Sequence, residues 1–304
     1  MKLPALSLAL ALLAGPVVAV ADELEDAIQS LRDASAKKDI DEIKKLVGVI
    51  HPMTCQLIAE PAPQDADEKK VWQEHIAYAK NADSYVESVL AGAALGTAPA
   101  VTVDLVTTLE GLNPKSKYLD EIYGTYLLAL NKTGGVAKIP TVAEKALGNF
   151  PENEDLLLYM LDTSMSRKQT DRALGYANRL VATLNKHPKP EGISAADWER
   201  KRTAALSRGY WTAGVISAEK GVWMTADKDL RAALPLIQGN NAMLGPALYY
   251  LGISNYQLGK MTLNKAKVLE AAKFSEQAMA IEGPHDEQAR HNALVMRKEA
   301  ATMR

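Results

Sequence analysis

The segment ALYYLGISNYQLGK at residues 247–260 ends in a Gly-Lys pair, the pair that contacts phosphate in nucleotide-binding loops. A Walker loop would also need glycine at position 254 and serine or threonine at position 261, to contact the phosphates and magnesium. The chain has Ser254 and Met261 there. The segment therefore predicts a packed helix, which we expect to end at Gly259 as a C-cap, and no phosphate site.

Other residues that could catalyse a reaction or bind a metal are too scattered to predict a site. His285 and His291 are six residues apart and would point to different faces of a helix, and Cys55 is the only cysteine. The nucleophile motif Gly-x-Ser-x-Gly is absent from the sequence. Carboxylates alternate with lysines, as in DEIKK at 41–45, which is typical of solvated helix faces. We expect no enzyme activity, no cofactor and no metal, although a catalytic carboxylate pair would not be visible in the sequence.

Residues 1–21 predict a secretory signal peptide. Lys2 supplies a positive charge, an apolar run follows at 6–13, and Ala19-Val20-Ala21 places small residues at the cleavage-determining positions. The alternative is a transmembrane anchor, which the Gly-Pro break after the apolar run disfavours. We expect cleavage before Asp22, which would give a periplasmic or secreted protein with no stable membrane anchor.

The charge balance and the cysteine content restrict the function further. The chain has 35 lysines and arginines and 37 aspartates and glutamates, so nothing in its net charge predicts a nucleic-acid partner. A single cysteine cannot form an intrachain disulfide. Cys55 could pair with another chain, but we expect a partly buried free thiol.

The spacing of apolar residues predicts an all-α protein. They recur at three- and four-residue steps almost throughout, and this indicates about 13 helices. We expect short helices at 23–37 and 40–49, a proline-containing loop at 51–66 and a long helix at 67–95. From residue 99 the helices are expected in antiparallel pairs.

A fixed period accompanies these pairs. Pro114, Pro151 and Pro188 are each 37 residues apart, and each follows a similar pair of predicted helices. Equal spacing could be a coincidence, since the chain has 14 prolines. Periods of this size indicate stacked helical repeats.

Small and bulky residues within the pairs follow the spacing of the tetratricopeptide repeat, most clearly at Tyr210, Gly214, Ala226, Leu230 and Ala233. Residues 99–304 therefore resemble this family, as an exported bacterial member. The resemblance implies an α-solenoid of antiparallel helix pairs (a superhelix), preceded by a helical segment at 22–98 that matches no repeat. Three further copies are Tyr123, Leu127, Ile139, Ala143 and Ala146; Leu157, Leu161, Ala173, Ala177 and Leu180; and Leu248, Gly252, Ala271, Ser275 and Ala278.

The last copy departs from the pattern. Nineteen residues separate Gly252 from Ala271, whereas twelve separate Gly214 from Ala226. We expect the seven extra residues to lengthen the turn or the second helix. Both glycines should mark places where the paired helix comes close, because glycine otherwise destabilises a helix by about 1 kcal/mol.

The resemblance also implies which residues face a concave groove. Gly124, Leu158, Trp211 and Tyr249 stand where chaperone-type repeats carry the lysines and asparagines that clamp a terminal carboxylate, so that ligand is not expected. Aromatic residues in a groove suit an extended apolar peptide or a partner helix. The alternative is that neighbouring helices cover them, as we expect for Trp72, Trp198 and Trp223. The residues assigned to the groove are Trp211, Val215, Tyr249, Ile253, Tyr256, Leu158 and Asp162.

These observations predict a non-catalytic periplasmic or secreted scaffold that binds a protein or peptide of unknown identity. Three alternatives stay open from the sequence. They are an exported helical enzyme with a hidden carboxylate pair, a structural subunit of a cell-envelope complex, and a binder of small molecules.

Overall fold

The computed structural model describes residues 16–190 and 192–303. This part of the chain contains 13 α-helices, two short 3-10 helices and no strands, which confirms the all-α prediction. Most of the predicted signal peptide, residues 1–15, lies outside the described residues. The first six helices are α1 (Pro16–Lys37), α2 (Ile40–Ala59), α3 (Ala66–Ala94), α4 (Pro99–Leu112), α5 (Lys117–Lys132) and α6 (Ile139–Asn149). The others are α7 (Glu154–Ser166), α8 (Thr170–Lys186), α9 (Ala195–Glu219), α10 (Trp223–Ala233), α11 (Asn241–Met261), α12 (Lys265–Ala278) and α13 (Asp286–Thr302).

Among the helices that the structure describes, we find none with the length and apolar character needed to cross a membrane.

The chain divides into two compact units, with the boundary between Val142 and Ala143. In the first unit each helix from α1 to α5 packs on the next one, and α1 also contacts α3 while α3 contacts α5. In the second unit each helix from α7 to α13 packs on the next one, and α7, α9, α11 and α13 form a second chain of contacts. Within each unit, every odd-numbered helix in these series therefore contacts the next odd-numbered helix as well as its sequence neighbour.

The second helix is longer than the sequence predicts. It continues through Pro52 to Ala59, so the predicted loop is wrong for residues 51–59. Proline inside a helix destabilises it by about 3 kcal/mol, because it lacks an N–H and crowds the carbonyl four residues earlier. Here that earlier residue is Gly48, and the buried face of α2 continues past the proline through Thr54 and Leu57. Burial of this face offsets the destabilisation that the proline causes.

Nearly all residues at the repeat spacing are buried. In the α9–α10 pair, Gly214, Ala226, Leu230 and Ala233 are buried, and Tyr210 is partly buried against the same cluster. The corresponding residues of the other three copies are buried as well: Tyr123, Leu127, Ile139, Ala143, Ala146, Leu157, Leu161, Ala173, Ala177, Leu180, Leu248, Gly252, Ala271, Ser275 and Ala278. The spacing thus identifies core positions correctly.

The two glycines in this pattern mark close helix contacts, as predicted. A Cβ added at Gly214 would lie 2.6 Å from the Cγ of Leu230 in α10. A Cβ added at Gly252 would lie 2.5 Å from the Oγ of Ser275 and 3.3 Å from the carbonyl oxygen of Ala271, both in α12. A side chain at either glycine would therefore push the paired helix away.

The seven extra residues of the last copy extend both helices and leave the turn short. Helix α11 runs nine residues beyond Gly252, whereas α9 runs five beyond Gly214. Helix α12 begins six residues before Ala271, whereas α10 begins three before Ala226. Four extra residues therefore belong to the first helix and three to the second. The predicted alternatives, a longer turn or a longer second helix alone, are replaced by one further turn of each helix.

Gly259 explains how the longer pair stays packed. It lies inside α11, so its assignment as a C-cap is wrong. A Cβ there would be 2.7 Å from the Cγ2 of Val268 and 3.0 Å from its backbone nitrogen. The residue with a positive φ at this helix end is Leu263, in the following turn.

Candidate partner-binding site around α11 and α13

Trp211 and Val215, assigned from the sequence to an open groove, connect α9 to α11. The indole N–H of Trp211 donates to the carbonyl oxygen of Met243 at 2.8 Å, and its ring packs on the cluster that contains Leu230 and Leu251. Val215 belongs to that cluster and is only 7 % exposed. Val215 is therefore a core residue, unavailable to a partner, because α10 and α11 cover it. Trp211 is half-buried and stabilises the packing of α9 on α11.

Tyr256 and Ile253 lie further along α11, and both are half-buried. The Tyr256 hydroxyl donates to the carboxylate of Glu299 in α13, and this bond holds the pKa of Glu299 below its usual value. The Lys260 ammonium lies 3.4 Å from the same carboxylate and 5.3 Å from the centre of the Tyr256 ring. These contacts join α11 to α13.

The two assigned residues of α7 differ in exposure. Asp162 is exposed and accepts a hydrogen bond from Nε of Arg208 in α9 at 3.1 Å. Leu158, one turn earlier, is partly exposed. The assigned residues therefore lie on three helices: α7, which contacts α9, and α9, which contacts α11. The largest side chains among them make contacts within the chain.

Tyr249 is the assigned residue that lies near a cavity, because it contacts His285, one of the residues that line it. Its ring stacks on the imidazole of His285, with the ring centres 4.4 Å apart and the planes 4° from parallel. Tyr250 meets both rings edge-on, at 5.2 and 5.6 Å. The Tyr250 hydroxyl donates to Glu219 at 2.9 Å. Burial and this carboxylate raise the pKa of Tyr250, so its hydroxyl stays protonated.

A cavity of about 310 Å³ opens beside His285, and we call it the α11–α13 cavity. Its size is at the lower end of the range for ligand sites, enough for one long side chain of a bound peptide. Apolar groups form part of its wall, and the acidic residues Glu282 and Asp286 also line it. The lining residues are Asn241, Ala242, Gly245, Pro246, Ala278, Ile281, Glu282, Gly283, Pro284, His285 and Asp286.

One polar atom at this cavity is unsatisfied. The Nδ1 atom of His285 is buried and has no hydrogen-bond partner among the described residues. Buried polar atoms in native proteins almost always have partners, and an orphan destabilises the fold by about 1–3 kcal/mol. Such an atom calls for a specific explanation, and His285 is also one of the residues that line the cavity.

Replacing His285 with phenylalanine should therefore stabilise the protein. Phenylalanine keeps the stack on Tyr249 and removes the unsatisfied nitrogen, so we expect the free energy of unfolding to rise by about 1 kcal/mol in a urea titration. The exposed His291 in α13, the helix that begins directly after His285, provides the control. His291→Phe should change stability by less than about 0.5 kcal/mol. A loss of stability in His285→Phe would contradict the assignment of an unsatisfied nitrogen.

The sequence did not predict this cavity. Most of its wall comes from the segment between Ala278 and Asp286, where α12 ends and α13 begins. Loop residues follow no helical spacing, so the repeat pattern that placed Tyr249 gave no information on His285. The Gly-Pro pair at 283–284 predicts a turn but no cavity.

We compared the sequence with models of known protein families and with curated proteins, and neither comparison found a match. The resemblance to tetratricopeptide repeats therefore rests on the residue spacing and its agreement with the buried positions.

Proposed function

We propose that this protein is a non-catalytic binding scaffold whose helix pairs stack as a tetratricopeptide-like solenoid. Two features of the fold support the stacking. Odd-numbered helices contact one another in series within each unit, and the repeat-spaced residues are buried. A helix pair cannot bury its apolar face alone, so stacked pairs form a continuous core and leave one face for binding.

The observation that carries the binding proposal is the α11–α13 cavity, whose lining combines apolar residues with Glu282 and Asp286. The occupant is a lysine or arginine side chain of a protein or peptide partner. Its aliphatic stem packs on Ala242, Pro246 and Ile281, and its charged head reaches the carboxylates of Glu282 and Asp286. Long basic side chains commonly bury their stems in this way while the charge remains near water or a carboxylate.

A displayed peptide library tests this function directly. Wild-type protein should enrich peptides with a lysine or arginine flanked by apolar residues, and Glu282→Lys should lose them by charge repulsion. Ala242→Trp should also lose them, because the indole fills the cavity. Ala196→Trp is the matched control, since Ala196 is the second residue of α9 as Ala242 is of α11, and both are exposed. Enrichment insensitive to Ala242→Trp would place recognition on another surface.

We further propose that the protein is periplasmic or secreted. The signal-peptide pattern of residues 1–21 supports this compartment. Protein isolated from its native host should begin at Asp22 when sequenced from its N-terminus. Soluble protein that retains Met1 would contradict export by cleavage.

A further inference from the structure

Helices α2 and α3 bring together a cysteine, a histidine and an aspartate. Cys55 follows His51 by four residues, and its Sγ lies 3.5 Å from the histidine Nε2. The other ring nitrogen, Nδ1, lies 2.8 Å from Oδ1 of Asp83 in α3. The Thr54 hydroxyl donates to the same carboxylate oxygen at 3.0 Å. Cys55 is exposed, so the expectation of a partly buried thiol is wrong.

The order of these contacts determines what the imidazole can do. An ionised carboxylate only accepts hydrogen bonds, so Nδ1 of His51 carries a hydrogen and Nε2 faces the thiol. An imidazole held in this way can take the thiol proton, and the thiolate is the nucleophilic form of cysteine. The side chains of His51 and Asp83 are 24 % and 25 % exposed, so the ring is held in place beside an accessible sulfur.

The helical setting restricts the reaction. Acyl transfer needs hydrogen-bond donors for a developing oxyanion, and the backbone N–H groups inside α2 cannot supply them because they bond to carbonyls four residues earlier. Residue 52, next to His51, is a proline and has no N–H. Attack on a disulfide needs no such donors, because the charge leaves on sulfur as a thiolate. The geometry therefore favours thiol–disulfide exchange over hydrolysis.

We propose that Cys55, activated by the His51–Asp83 pair, exchanges with low-molecular-weight disulfides and carries a mixed disulfide. Its Sγ attacks one sulfur of the disulfide RSSR, the S–S bond of RSSR breaks, and a bond forms between Sγ and the attacked sulfur. The other half leaves as RS⁻ and takes up the proton held by His51. One thiol and one disulfide are consumed, and one of each is formed. The chain has no second cysteine, so the mixed disulfide persists until an external thiol reverses it.

This site is independent of the partner-binding proposal, and its test uses a different readout. Reduced full-length protein is mixed with glutathione disulfide, and the adduct is followed by mass spectrometry. The control is the double variant Cys55→Ser/Gln56→Cys, which moves the thiol to the adjacent exposed position on α2 and keeps both His51 and Asp83. Wild type should react about tenfold faster than this control, because only its thiol contacts the imidazole. Rates that agree within about twofold would overturn the proposal.

Variants of His51 and Asp83 test whether the reactivity of Cys55 comes from activation by the imidazole or only from the exposure of its thiol. His51→Gln should lower the rate to that of the control, and Asp83→Asn should lower it by a smaller factor. The ultraviolet absorbance of the thiolate should fall in the same order, which a change in exposure alone would not produce. An unchanged rate in folded His51→Gln, checked by circular dichroism, would also overturn the proposal. The comparison with Cys55→Ser/Gln56→Cys holds even if these variants fail to fold.

Discussion

Gly252→Leu is expected to lower the free energy of unfolding by about 2–3 kcal/mol. Even a Cβ at this position would lie 2.5 Å from Ser275 Oγ and 3.3 Å from the Ala271 carbonyl oxygen. The serine side chain can rotate, but the carbonyl belongs to the backbone of α12, so the longer side chain would force α11 and α12 apart. A urea titration monitored by circular dichroism measures the loss.

Gly175→Leu is the matched control for this prediction. Gly175 lies in α8, is exposed, and has no neighbouring atom within 4 Å of the position that a Cβ would take. The same substitution should stabilise the protein by up to about 1 kcal/mol, because glycine is a poor helix former. Similar losses at both positions would mean that leucine harms any helix of this protein and that Gly252 marks no close contact.

Trp211→Ala is expected to lower the free energy of unfolding by about 2–4 kcal/mol. The variant loses the packing of the indole on the cluster of Val215, Leu230 and Leu251, and it loses the hydrogen bond to the Met243 carbonyl. Trp211→Phe keeps much of the packing and should lose only about 1 kcal/mol. Thermal unfolding of the three proteins measures both effects.

This prediction decides between two roles for Trp211. If Trp211→Ala unfolds at the wild-type temperature, the indole contributes little to the core and is free to anchor a partner, as the family resemblance implied. A lower unfolding temperature than that of wild type would support a role for Trp211 in holding α9 against α11. Binding experiments on the α11–α13 cavity should then use substitutions of Ala242, which lines this cavity and is exposed.

Much of the fold could be predicted because helical periodicity and repeat spacing both report burial. Leu157, Leu161, Ala173 and Ala177 are recognisable in the sequence as a set and are fully buried. The errors arise where packing overrides a local signal. Pro52 indicates a loop, yet the buried face of α2 continues through it. Gly259 indicates a helix end, yet it allows Val268 to approach.

The candidate sites were harder to predict, because each depends on contacts between distant segments. Tyr249 lies in α11 and its stacking partner His285 lies in the turn between α12 and α13, and no spacing rule relates them. His51 and Cys55 are one helical turn apart in the sequence, but the predicted loop at 51–66 hid this relation. Asp83, which orients the imidazole, comes from the next helix. Neither site contains a motif, so only the packed structure brings its residues together.

Site-specific photo-crosslinking in the native host tests the central claim, that a basic side chain of a protein partner enters the α11–α13 cavity. A small photoreactive amino acid with an aliphatic diazirine side chain, which is much less bulky than the tryptophan of Ala242→Trp, replaces Ala242 at the cavity or Ala196 at the matched position of α9. We expect a protein adduct from position 242 alone, through a segment containing lysine or arginine, and we expect its loss when Glu282→Lys is added. Adducts from both positions, or an adduct that survives Glu282→Lys, would contradict recognition at this cavity.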